Sequence, residues 1–122
     1  MITTIITDAS WCPNTLLGGW AAWITMECKE TNTIKRHKYY GKFKSQPITP
    51  TIAEMWAIKN GIHLAKKKGA EKMLVQSDCM GAIKKLQDGA NPSIEYRHVK
   101  GHSNRPESRF FVNRWCDMNA RK

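Results

Sequence analysis

Of the ten acidic residues in the chain, Asp8, Glu54, Asp78 and Asp117 fall where elements of secondary structure should begin, end or meet a sheet edge. Each has a plain structural use. Asp8, in the run Ile5-Ile6-Thr7-Asp8-Ala9-Ser10-Trp11-Cys12-Pro13-Asn14, sits where apolar residues give way to turn formers and could close an Asx turn. Thr51-Ile52-Ala53-Glu54 matches a capping box, in which the Glu54 side chain returns to the Thr51 backbone N–H. Asp78 could cap the helix that follows it, and Asp117 could lie on a solvated helix face. Together the four say something else. Clustered carboxylates repel one another unless cations lie between them, so such a group is costly as a purely structural device. Oxygen-only ligands suit Mg²⁺ or Mn²⁺, and two such ions about 3.5–4 Å apart can activate a water and stabilise the leaving oxygen in phosphodiester hydrolysis.

The elements that must position these acids can be read from hydrophobic period. Residues 2–8 have the composition of a strand whose tip is Asp8, and Gly18-Gly19-Trp20-Ala21-Ala22-Trp23-Ile24-Thr25-Met26 that of a second. Thr33 to Phe43 reads as a third, with alternating charges on a solvated face. Short connections make these three an antiparallel meander. From Thr51 the period becomes helical through Ile52, Met55, Ile58 or Trp56, and Ile62 to Ala65, and the run closes on Lys66-Lys67-Lys68-Gly69. Residues 72–77 read as a fourth strand. A helix then starts at Asp78 with Cys79, Ala82, Ile83 and Leu86 on one face, and residues 94–99 give a fifth strand. A last helix should bury Val112, Trp115 and Cys116. The order βββαβαβα predicts an α/β fold: a mixed five-stranded sheet, strands 1, 4 and 5 parallel, with helices on both faces. If the first and fourth strands lie parallel and adjacent, as the crossover rule allows, Asp8 and Asp78 emerge side by side at their carboxyl ends, within reach of Glu54 and Asp117.

Composition narrows the class of function. A chain of 122 residues fits one domain, 1–122, and no window approaches the ~18 apolar residues of a membrane span. The start Met-Ile-Thr-Thr lacks the order of a secretion signal, and Cys12, Cys28, Cys79 and Cys116 form no Cys-x-x-Cys pair. The expectation is a cytoplasmic, monomeric protein with free thiols. Twenty Lys and Arg against ten Asp and Glu leave a net charge of +10, which favours a polyanionic partner. A basic surface around an acidic pocket reads as a metal-dependent nuclease.

The motifs, taken in order, resemble those of type 1 ribonucleases H, which cut the RNA strand of RNA/DNA hybrids. Thr7-Asp8-Ala9-Ser10, Asn14 and Gly18-Gly19-Trp20 are similar to the family's TDGS, Asn and Gly-Gly-aromatic elements. Thr51 with Glu54 and Ser77 with Asp78 match its next two acidic motifs. Val99-Lys100-Gly101-His102 resembles its V-K-G-H, and Asn113 to Arg121 its N-x-x-C-D-x-x-A-R helix. The resemblance covers nearly the whole chain. It implies an RNase H-like fold and a two-metal hydrolysis, with two Mg²⁺ that Mn²⁺ can replace, leaving 5′-phosphate and 3′-hydroxyl ends. Asp8, Glu54, Asp78 and Asp117 would hold the metals, and His102 would assist proton transfer or product departure. Asn14 and Thr51 would line the hybrid's minor groove, where the 2′-hydroxyl is sensed, and Ala9, through its backbone, and Ser10 would also contact the substrate. His37, His63 and His98 have no counterpart.

The chain departs from the family pattern at Ala9, where a Gly is common, at Pro50-Thr51 in place of an Asn pair, and at Met80 in place of Gln. The short link Gly89-Ala90-Asn91-Pro92-Ser93 leaves no room for the basic helix and loop with which some members grip the hybrid. Grip would fall to Lys84 and Lys85, to Lys59 and Lys66–Lys68, to Arg105 and Arg109, or to a separate DNA-binding partner. Two rivals stay open: a resolvase- or transposase-like DNA nuclease on the same fold, and a hybrid-binding module without catalysis, which would not need four acids.

Overall fold

Strand β1 runs over Ile2–Trp11 and pairs antiparallel with β2, Gly18–Cys28, which pairs antiparallel with β3, Thr33–Lys42. The computed structural model describes residues 2–11, 18–43, 49–87 and 92–99. Helix α1, Pro50–Lys67, then crosses over to β4, Met73–Ser77, which lies parallel to β1; helix α2, Met80–Gln87, leads to β5, Ile94–His98, parallel to β4. The sheet order is β3-β2-β1-β4-β5, the expected mixed sheet with strands 1, 4 and 5 parallel. The last helix expected from the sequence lies outside the described residues. Residues 88–93 are all that separate α2 from β5.

Alternation along the central strands decides which face α1 covers. Ile5, Thr7, Ala22 and Ile24 are buried and lie under the helix, whose own buried positions are Ala53, Ala57, Ile58, Gly61, Ile62 and Ala65. Small residues let the helix settle closely. A Cβ at Gly61 would stand 2.9 Å from Ile5 Cγ2 and 3.1 Å from Thr7 Cγ2, so the axis of α1 lies where only glycine fits. Met73, Val75 and Ala82 close the core from the β4–α2 side, with Cys79 and Leu86 packed against it. At the other edge β3 exposes Lys35, Arg36, Lys38 and Lys42, charges that discourage edge-to-edge pairing with another chain. Lys38 Nζ stands 4.4 Å from the centroid of the Trp23 ring. Among the described residues no helix is long and apolar enough to cross a membrane.

Three expectations need correction. Helix α2 starts at Met80 and not at Asp78. Strand β1 does not end at Asp8: the pairs Ala9↔Trp20, Ser10↔Gly19 and Trp11↔Gly18 carry it three residues further. The cause lies in the partner strand, since a Cβ at Gly18 would come within 2.5 Å of the Ser10 carbonyl oxygen. Helix α1 is not capped by Thr51 and Glu54. Its N-cap is Thr49, whose hydroxyl accepts the Ile52 N–H at 3.2 Å, with Pro50 in the first turn. A threonine followed by proline outcompetes the later box because proline is already set at the helical φ and has no N–H to satisfy.

Candidate metal centre

With the cap moved to Thr49, Glu54 stands beyond the first turn of α1 and is released from any duty at the helix terminus. It points across the sheet edge instead. Parallel pairing of β1 with β4 runs from Thr3↔Met73 to Ile6↔Gln76, and the same register carried two residues on sets Asp8 level with Asp78. Strand β4 ends at Ser77, which holds the chain on both sides of the acid: its carbonyl accepts the Val99 N–H at 2.9 Å and its hydroxyl the Cys79 N–H at 3.1 Å. His98 Nε2 lies 3.1 Å from the Asp78 carbonyl oxygen, a hydrogen bond that requires the ring proton on Nε2. One carboxylate oxygen from each of Asp8, Glu54 and Asp78 lies within 4.8 Å of the others, with Asp8 and Glu54 half-buried and Asp78 exposed.

The Ala9 N–H serves two of the acids, donating to Asp8 Oδ1 at 2.9 Å and to Glu54 Oε1 at 3.2 Å. Glu54 Oε2 is buried without a hydrogen-bond partner. Burial, and then the negative charges of Asp8 and Asp78, push the Glu54 carboxyl from its ordinary 4.5 up to about 10. A carboxylate left in this state destabilises the fold, and a cation beside it removes the penalty. The donor set is entirely oxygen and the charge is concentrated. This is the chemistry that hard divalent ions such as Mg²⁺ and Mn²⁺ take.

Of the other residues singled out in the sequence, Ser10 is half-buried in β1 opposite Gly19, and Ala9 acts through its N–H on the acids. Thr51 is half-buried and faces the start of α2, where a Cβ at Gly81 would lie 3.7 Å from its hydroxyl. Lys84 and Lys85 are exposed in the last turn of α2. Asn14, His102, Asp117, Arg105 and Arg109 lie outside the described residues. Sequence reasoning gave no part to Thr49 or His98. Pro50 signalled the first, and the pairing Ser77↔His98 would have signalled the second had the β4–β5 register been known.

The family model described as reverse transcriptase-like matches residues 7–105, a span that includes all three acids. No curated protein sequence matches. Among solved structures, the chain is similar to the N-terminal RNase H domain of Rv2228c from Mycobacterium tuberculosis, determined as a fusion with maltose-binding protein. Identity is 18%, the TM-score is 0.63, and the match covers 98% of this chain and 91% of that one. RNase H1 from the halophilic archaeon Halobacterium salinarum matches at 15% identity and a TM-score of 0.62, over 99% and 96% of the two chains. LC11-RNase H1, solved in complex with an RNA/DNA hybrid, matches at 15% and 0.62, over 98% and 94%.

Proposed function

Because the chain belongs to the reverse transcriptase-like family and has the ribonuclease H fold, we propose that it is an endonuclease that hydrolyses the RNA strand of RNA/DNA hybrids. The observation that carries this reading is the meeting of Asp8, Glu54 and Asp78, one carboxylate oxygen of each lying within 4.8 Å of the others. The net charge of +10 and the hybrid bound by LC11-RNase H1 support a polyanionic duplex as substrate. Asp8, Glu54 and Asp78, with Asp117, would hold two Mg²⁺ ions, which when bound supply an activated water and charge for the leaving oxygen, giving 5′-phosphate and 3′-hydroxyl products. The chain's own residues do the positioning. Asp8 is held by the pairing of β1 with β2, Asp78 by the bonds around Ser77, and Glu54 by the seating of α1 at Gly61. The Ala9 N–H fixes the Asp8 and Glu54 carboxylates relative to each other. His102 would assist proton transfer near the leaving group.

The test is cleavage of end-labelled RNA/DNA, RNA/RNA and DNA/DNA duplexes with Mg²⁺ or EDTA, by the protein and by Asp78→Asn, which keeps the shape of the side chain and removes its charge. The expected result is cutting of the hybrid's RNA strand alone, lost in EDTA and in the variant while hybrid binding persists. Turnover by Asp78→Asn would sink the metal-ligand assignment, and cutting of DNA/DNA would favour a DNA nuclease on the same fold.

A further inference from the structure

A concavity lies between α1 and the strands β2 and β3. Its volume is about 530 Å³, within the range of small-molecule sites, and Trp20, Phe43 and Trp56 line it with Lys42, Asn60 and His63. The sheet register places it. Trp20 pairs with Ala9, the residue after Asp8, and Gly41 pairs with Trp20, so the cavity lies on the same rows of the sheet as the acids. Two strand spacings, about 10 Å, separate β1 from β3, which is about three stacked base steps.

The lining is not surplus core. Trp20, Phe43 and Trp56 are each half-buried and leave the cleft open, and Phe43 meets Trp56 edge-on, with centroids 5.6 Å apart at 72°, which steadies the Trp56 ring. Lys42 and His63 at the rim are exposed, and Asn60 adds an amide with both donors and acceptors. Aromatic faces beside a lysine and an amide suit a base that stacks, a phosphate that pairs and a base edge that hydrogen-bonds. The charge of +10 argues against a cationic occupant.

We infer that this cavity is a binding site for an unpaired nucleotide of the substrate, so that the protein prefers hybrids with a single-stranded extension over blunt ones. The inference rests on the reading of the acids as the site that cuts a nucleic-acid duplex, and it adds a substrate preference to that reading.

The test measures binding of one RNA/DNA hybrid, blunt or with a short single-stranded extension carrying 2-aminopurine, in EDTA so that neither strand is cut. Stacking of one base implies about tenfold tighter binding of the extended hybrid, with quenching of the 2-aminopurine emission. In Trp56→Leu the ratio of the two affinities falls towards one and the quenching is lost. Lys42→Gln, at an exposed position that tolerates substitution, lowers the same ratio and keeps the test valid if the Trp56 variant fails to fold. Equal affinities with unquenched emission would overturn the inference, and continued cutting of the blunt hybrid with Mg²⁺ would show that the nuclease reading survives it. If no hybrid is bound in EDTA the inference falls, and cleavage of the blunt hybrid with Mg²⁺ decides the nuclease reading separately.

Discussion

Replacing Glu54 by Gln should stabilise the metal-free protein while removing its activity, and the size of the effect follows from the site. Between pH 4.5 and about 10 the folded chain holds a proton at Glu54 that the unfolded chain has released. Stability therefore falls as pH rises through this window, by about 1.4 kcal/mol per pH unit. At pH 7 the loss amounts to about 3 kcal/mol. Gln has the shape of the protonated acid and does not titrate, so the variant escapes the loss and should melt about 10 °C higher at that pH. Thermal unfolding of both proteins in EDTA at pH 5, 7 and 9 reads this directly: nearly equal midpoints at pH 5 and a gap that widens to pH 9. Mg²⁺ should narrow or reverse the gap, because only the native protein presents the full set of acids to the ion. A variant less stable than the native protein by the same margin at every pH would refute the reasoning, since it would make Glu54 a packing residue.

The other predictions concern the seat of α1 and the basic surface. Gly61→Val drives its side chain into Ile5 and Thr7, costs about 2–3 kcal/mol and lowers the unfolding midpoint by about 10 °C; an unchanged midpoint would mean that α1 is free to ride outward. Hybrid affinity measured across a salt series should fall linearly on logarithmic axes, with a slope of about −0.9 for each phosphate engaged, and a flat line would remove the basic surface from the binding account.

What could be read in the sequence divides along a physical line. Asp8 and Asp78 were legible because each follows a short apolar run, and the crossover rule allows two such ends to lie together once their strands are neighbours. The order of the elements and the direction of each strand pair followed from the same local signals. Lengths and partners were harder to see. Ala9 and Ser10 have the composition of a turn, yet they pair with Trp20 and Gly19 because Gly18 allows the backbones to meet, a property of a strand ten residues away. The cavity between α1 and the strands β2 and β3 was invisible for the same reason, as Trp20, Phe43 and Trp56 come from three separate stretches of chain and share no period.

The misplaced cap has the largest consequence. With Thr51 as the cap, Glu54 would have had a structural reason to be charged and a backbone N–H to satisfy it. With Thr49 as the cap, the helix start is satisfied without any acid in the first turn, and nothing local accounts for Glu54. Local choices elsewhere agree with the fold: the small face of α1, the apolar face of α2 and the lysines of the β3 edge. Glu54 is where that agreement fails, a half-buried acid with one oxygen unpaired and two like charges beside it. Natural sequences hold such conflicts mainly where function requires them. The conflict at Glu54 therefore separates a site for cations from a structural carboxylate more sharply than the spacing of the acids alone.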